Sequence, residues 1–470
     1  MIPRGDETRL HVLTLGQLGE ACDGEIANGA SELIIRGVAI DSRRVVPHDL
    51  FVCLRGQRVD GHAYVQAACD AGAAAILAEH GVSLTLETDV PVLRVADAVL
   101  ALGKIARAWH RTLGTVVIGV TGSSGKTSTK EMLAAYLGQF YCVTRTEGNQ
   151  NNELGVPLSL LALRPHHELA IIEMGMRGLG QIAYLADLAE PTIGVITNIG
   201  LAHVELLGSQ ANIARAKTEL WTHLKSEGIA VVPWDDHLAR AAVQTWGRLF
   251  VSWSLGDSDA TVWASDVSAV GEGQCFVAHW RGFGACSAAG SAVVQLPLWG
   301  DHHRGNALAA LATGLALGLT PPSTLTLTPS VMAGRSRWVR FGTVSVMDET
   351  YNANPDSMRQ AIRAFMASPC EGRRVLVLGD MAELGAMTEQ AHHELGAWLK
   401  GQEIPLVLAC GTWARLYLAS GVTGIVVPDC EEAARWLKEW IKPQDRVFMK
   451  ASRAARFERI LAYLEAHVRI

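Results

Sequence analysis

The sequence predicts an α/β protein of three domains arranged around a central parallel sheet. Three observations carry that expectation. Residues 116–128 read as a buried strand, a glycine-rich turn and the start of a helix. Apolar runs ending in polar residues recur at 116–120, 169–172, 193–197 and 229–232, with helical segments between them. Such alternation builds a parallel sheet covered by helices. A second series at 344–347, 375–378, 406–409, 425–427 and 447–449 predicts another doubly wound sheet near the C-terminus.

The elements follow in order. Residues 50–54 read as a strand, the alanine-rich 63–71 as a helix and 75–78 as another strand. The pattern weakens over 82–90, which suits a linker, and residues 96–113 carry apolar positions at helical spacing. Between about 249 and 298 alternating runs with glycine punctuation predict a small antiparallel patch, with Trp253, Trp263, Trp280 and Trp299 as its packing. Thr320-Pro321-Pro322-Ser323-Thr324 is a linker candidate. The expected domains are therefore 1–84, 85–318 and 319–470.

Bulk properties narrow the function. A chain of 470 residues has room for two to four domains. With 49% hydrophobic and 19% charged residues the balance is globular. A net charge of −6 without a basic stripe argues against nucleic acid as a partner. The nine cysteines form no CxxC pair and are odd in number, which favours reduced thiols in a cytoplasmic protein. The first residues hold no apolar signal core, and no apolar stretch approaches membrane-spanning length.

The chemistry centres on Thr121-Gly122-Ser123-Ser124-Gly125-Lys126-Thr127-Ser128. Glycines let backbone N–H groups turn inward, the helix start adds positive potential, Lys126 adds a cation, and the Thr127 hydroxyl can ligate Mg²⁺. That combination cradles the phosphates of a nucleoside triphosphate. Val120 stands where the strict phosphate-loop pattern has glycine. An ordinary Gly-Ser loop is the plainer alternative, and the flanking strand and helix argue against it. Glu173 ends an apolar strand, where a Mg²⁺-holding acid belongs beside such a loop. His203 follows the next strand and suits a metal, a phosphate or an ordinary loop contact. Lys217 lies on a helical segment, where a solvated lysine is the usual reading. Asn149, Asn151 and Asn152 crowd one turn and offer paired donors and acceptors to a polar substrate.

Together these strings resemble the Mur ligases, ATP-dependent amide-bond enzymes of peptidoglycan precursor synthesis, over essentially the whole chain. Outside the ATP core the resemblance rests on Asp41-Ser42-Arg43, Asp60-Gly61-His62, Tyr351-Asn352-Ala353-Asn354-Pro355 and Gly379-Asp380-Met381-Ala382-Glu383-Leu384-Gly385. These match the branch that joins D-alanyl-D-alanine to UDP-N-acetylmuramoyl-tripeptide. The Tyr-Ala-His-Thr-Pro and Asp-Asn-Pro-Arg strings of a sister ligase are absent.

The resemblance implies a UDP-sugar domain, a central ATPase and a C-terminal Rossmann-like domain that closes over the site. It implies ATP and two Mg²⁺ ions. Lys126 would hold the β,γ-phosphates, Thr127 and Glu173 one Mg²⁺, and His203 the second metal site. Lys217 would be carbamylated, turning a cation into an anionic oxygen donor. Asn306, Arg335, Tyr351 and either Asp348 or Glu349 would contact the nucleotide. Ser42, Arg43 and the three asparagines would contact the UDP-muramoyl peptide. The expected protein is a monomer acting on small molecules.

Two departures from the family stand out. His303 replaces an asparagine near adenine, and Ala451 replaces a glycine, which would be strained there if that position needs a positive φ. The rival readings are a sister ligase adding another amino acid, a folate polyglutamate ligase, or a nucleotide switch without ligase chemistry.

Overall fold

The computed structural model describes residues 13–27, 31–56, 59–84, 89–201, 204–330, 333–402 and 404–467. Three large sheets carry the chain. The first has five strands in the order Glu25–Ala27, Val92–Val95, Ala75–Glu79, Asp49–Val52 and Gly37–Ala39, parallel except for the first. The second has ten, and the third six.

In the ten-stranded sheet Val116–Thr121 lies between Leu169–Glu173 and Ile193–Ile196, all parallel. The chain leaves Val116–Thr121 toward one edge, through Val143–Arg145 and Leu169–Glu173. It then crosses back to Ile193–Ile196 and continues toward the other edge. This reversal of strand order opens a crevice at the carboxyl ends of the strands, where ligands settle in open α/β sheets. Register places Glu173 opposite Val120 and Ile196 opposite Thr121, so Glu173, Thr197 and the phosphate loop share one edge. The antiparallel patch expected between about 249 and 298 is present. Val262–Val270, Gly273–Trp280 and Gly290–Leu296 extend the same sheet.

The third sheet runs Arg337–Phe341, Val344–Glu349, Arg446–Lys450, Arg374–Gly379, Val407–Cys410, Gly424–Val427. Its expected parallel strands are all present, and the hairpin partner Arg337–Phe341 was not foreseen. Both expected domain limits stop one strand short of their sheets. Val92–Val95 returns to the first sheet beyond residue 84, and Thr324–Thr326 pairs with Gly290–Leu296 beyond residue 318. Strands of three or four residues that pair with distant segments leave little periodicity to read.

The helix Ala98–Leu113 links the first two units. Ala98, Ala101, Leu102 and Ile105 enter the core of the first sheet, and Ala106 enters that of the second. Asp97 caps it by accepting from the N–H groups of Val99 and Leu100. Near its far end Arg107 and Arg111 both bind the Glu190 carboxylate. Burial pushes that carboxyl up, but the two guanidinium groups outweigh it and hold the pKa at about 2. A depressed acid stabilises the fold fully above its unfolded pKa, about 4.3, and the effect fades as pH falls toward the folded value. Glu190→Gln is therefore expected to cost about 1–2 kcal/mol near neutrality, less than a full shift because the arginines are partly solvated. Its stability should also depend less on pH between 5 and 2, which urea unfolding across that range measures.

Candidate active site

The phosphate loop is bolted to its neighbour loop. Ser123 N–H donates to the Asn198 carbonyl at 3.0 Å, and Ser124 N–H donates to Asn198 Oδ1 at 2.9 Å. Thr197 Oγ1 donates to the Ser124 carbonyl at 2.6 Å. Gly122 cannot carry a side chain here, since a Cβ would lie 1.8 Å from Thr197 Oγ1. Gly125, at φ 75°, turns the chain into the helix Lys126–Leu137 and offers no side-chain cap. The first N–H groups of that helix stay available to an anion.

Lys126 Nζ donates to the Gly122 carbonyl at 2.8 Å. Burial lowers its pKa, Glu173 opposes that shift and Arg335 adds to it. Thr127 Oγ1 donates to Glu173 Oε2 at 2.9 Å, and Asn151 Nδ2 donates to Glu173 Oε1 at 2.8 Å. Thr127 and Glu173 are both buried. Lys217, on the helix Gln210–Thr222, is 1% exposed. Among the described residues it makes no hydrogen bond or ion pair. Burial, then the charge of Lys126, pushes its pKa well down.

On the opposite wall Arg335 lies 3.9 Å from the centre of the Tyr351 ring. Of the two acids left open, Glu349 faces the cleft and Asp348 does not. Asp348 accepts from Gly334 N–H and Thr350 and holds the Arg335 loop. Asn306 Oδ1 accepts from Thr129 Oγ1 at 2.9 Å, and its Nδ2 is buried without a partner.

His303 joins a relay. Ser336 Oγ donates its one proton to Glu349, so it must accept from His303 Nε2–H at 2.7 Å. His303 Nδ1 is then a bare acceptor, buried and without a partner. Burial pushes the Glu349 carboxyl up, but Lys450, His302 and the Ser336 hydroxyl hold it below its ordinary value. His302, His303 and Glu349 could together reach a metal ion. Lys450, 3.3 Å from Glu349, already supplies the positive charge there.

A cleft of ≈ 1120 Å³, open to solvent, gathers residues 123–128, Asn149, Asn151, Glu173, Asn198, Asn306, Arg335, Tyr351, Glu349 and Lys450. Small-molecule pockets run from about 300 to about 1,000 Å³, so this one lies at the upper end of that range. Trp299 lines it too, beyond the packing role expected.

Other expected contacts lie elsewhere. Lys217 is buried and does not line the cleft. Ser42 and Arg43 lie on a short turn away from the cleft, with Arg43 paired to Asp41 at 2.7 Å. Asn152 Oδ1 accepts from Gly155 N–H at 2.9 Å, where the helix Gly155–Leu161 begins. His203 lies outside the described residues. The strain expected at Ala451 is absent, because its φ is not positive. Its methyl fits against Gly379, where a Cβ would lie 2.6 Å away. Lys130 and Lys450 were missed. Lys130 falls one helical turn after Lys126, a spacing that could have flagged it.

This architecture defines a multidomain nucleotide-binding enzyme with a phosphate loop at the switch point of its central sheet. Family models match in three places: the Mur ligase family catalytic domain at 34–110, the Mur ligase middle domain at 120–314, and the Mur ligase glutamate ligase domain at 334–453. The chain belongs to the Mur ligase family and is an ATP-dependent ligase.

It is 36% identical to the UDP-N-acetylmuramoyl-tripeptide–D-alanyl-D-alanine ligase of Synechocystis, over 98% of each chain. It is 35% identical to the ligase of the same name from Bacillus subtilis, over 95% of this chain and 97% of that one. A crystal structure of MurF from Acinetobacter baumannii superposes with a TM-score of 0.87 at 31% identity, covering 97% of this chain and 99% of that one. MurF ligase from Thermotoga maritima in complex with ADP gives 0.81 at 30%, covering 92% and 98%. Among the described residues no helix is long and apolar enough to cross a membrane.

Proposed function

We propose that this chain uses ATP to join D-alanyl-D-alanine to UDP-N-acetylmuramoyl-tripeptide, giving the pentapeptide precursor of peptidoglycan. One observation carries the reading beyond the likeness of the whole chain. Glu173 accepts at once from Thr127 of the phosphate helix and from Asn151 of the asparagine loop. A single carboxylate thus joins the place for the γ-phosphate to the place for a second polar substrate.

The chemistry follows from the groups present. A carboxylate is a poor electrophile. Transfer of the γ-phosphoryl group makes it an acyl phosphate, which the amine of D-alanyl-D-alanine attacks with loss of phosphate. Lys126 and the free N–H groups of its helix neutralise charge on the moving phosphoryl. Thr127 and Glu173 are oxygen donors of the kind Mg²⁺ prefers, and would hold it. When bound, Mg²⁺ supplies charge neutralisation at the phosphates. The second metal site of this reading involves His203 and a carbamylated Lys217. A buried amine of depressed pKa, with no partner, is the form that adds carbon dioxide.

Arg335, Tyr351, Asn306 and the bare His303 Nδ1 would hold the nucleotide; an acceptor at that atom suits the amino group of adenine. Asn149 and Asn151 would hold the muramoyl peptide, with Ser42, Arg43 and the first sheet taking its UDP end. The third sheet closes on the second: Leu201 N–H donates to Asp356 Oδ2 at 3.2 Å. Enclosure of this kind protects a hydrolysable intermediate. Nine unpaired cysteines suit the reducing cytoplasm.

Phosphate release by the purified protein with ATP and Mg²⁺ tests the reading. Release is expected only when UDP-N-acetylmuramoyl-tripeptide and D-alanyl-D-alanine are both present, with the pentapeptide mass as product. Release with another amino acid instead would make it a sister ligase. Release indifferent to either substrate would make it a nucleotide switch.

A further inference from the structure

Lys130 is wholly buried, yet the phosphate chemistry does not use it. From the phosphate helix its Nζ donates to the carbonyls of Thr146, at 2.7 Å, and Gly148, at 3.3 Å. It also lies 3.4 Å from Glu131 Oε1 and 3.9 Å from Glu173 Oε2. Thr146 in turn holds Glu173, accepting from its backbone N–H at 3.0 Å through Oγ1. Three residues past Gly148, Asn151 is fixed at its other end, where Gly175 N–H donates to its carbonyl at 2.7 Å.

A buried ammonium is costly unless its donors are satisfied. Here they are spent on the backbone that leads into the asparagine turn. An apolar residue at 130 would still fill the space. It would leave two carbonyls without the Lys130 donor and Glu173 without one of its nearby cations.

We propose that Lys130 is a positioning residue. It locks the loop carrying Asn149 and Asn151 to the phosphate helix, so that the acceptor carboxylate and the γ-phosphate are held in one frame. The inference rests on the ligase reading above. Holding two reactants in register is worth orders of magnitude in rate, and a misplacement of about 1 Å costs about 10²-fold. The ammonium does not touch the reacting atoms and acts through the loop.

The test compares wild type, Lys130→Met and Lys130→Arg as full-length proteins. Three quantities are read: MgADP affinity by calorimetry, the kcat and KM for UDP-N-acetylmuramoyl-tripeptide, and amide hydrogen exchange. In Lys130→Met, MgADP affinity should stay within about threefold, while kcat/KM for the muramoyl substrate falls about 10²-fold. Exchange should quicken in residues 146–152 and stay slow in 116–125. Lys130→Arg keeps a cation and should recover part of the loss. The proposal is overturned if Lys130→Met keeps its kcat/KM, or if exchange in 146–152 is unchanged. Should the methionine variant not fold, the same readouts on Lys130→Arg decide. A wild type that makes no pentapeptide would sink the ligase reading, while the exchange measurement would still judge the loop contact.

Discussion

Lys126→Ala is expected to lower turnover about 10²–10³-fold, the usual cost of removing one preorganised group that meets developing charge. Lys126 is the cation carried by the phosphate loop itself, and it starts the helix whose N–H groups face the same point. Burial depresses its pKa, while Glu173 restores part of the charged form. A cation held in a partly dry site acts on phosphate more strongly than one in water. Loss should appear mainly in kcat, because the loop N–H groups and the far wall still hold nucleotide. Phosphate-coupled kinetics, with protein purified free of host ligase, measures it. Near-normal turnover would refute the phosphoryl-transfer role at its centre.

Lys217→Ala should be nearly as damaging, and in a different way. A lysine 1% exposed, without a counter-ion and close enough to feel Lys126, is poorly placed as an ammonium. Its lowered pKa enlarges the neutral fraction near pH 7. Neutral amine is what adds carbon dioxide, and the carbamate formed is an anion suited to metal and phosphate. The sign follows: wild-type activity should fall on stripping bicarbonate, and more steeply at lower pH, where the amine is protonated. In Lys217→Ala a short carboxylic acid should restore activity in a saturable way, because it supplies the missing oxygens. Rescue by formate or acetate, with none by chloride, would support the carbamate. Wild-type turnover indifferent to bicarbonate, with no carbamate signal from labelled bicarbonate, would count against it.

Much of this was legible in the chain. The strand, turn and helix at 116–128 announce themselves because a phosphate loop is a local object. Its glycines, lysine and threonine are consecutive, and their spacing is their geometry. Glu173 was legible from its place at a strand end. The parallel strands of both large sheets were readable for a similar reason, since strands buried on two faces are written as unbroken apolar runs.

What stayed hidden is set by contacts across sequence. Lys130 looks like an ordinary helix lysine until the carbonyls of Thr146 and Gly148 come to 2.7 and 3.3 Å from its Nζ. Asn152 and Asp348 match the expected chemistry by type. Only the fold shows the first spent on the backbone N–H of Gly155 and the second holding a turn. The strain expected at Ala451 is absent because its φ is not positive, and Gly379, far away in sequence, leaves space for its methyl.

The chain by itself determined the class of protein, the nucleotide loop and the order of its sheets, because those depend on residues next to one another. Tertiary structure alone decided which polar groups face the cleft and which are spent holding it in shape. Burial and partners belong to neighbours in space, and a hydrogen-bonding side chain has the same letter whether it meets a substrate or a backbone carbonyl.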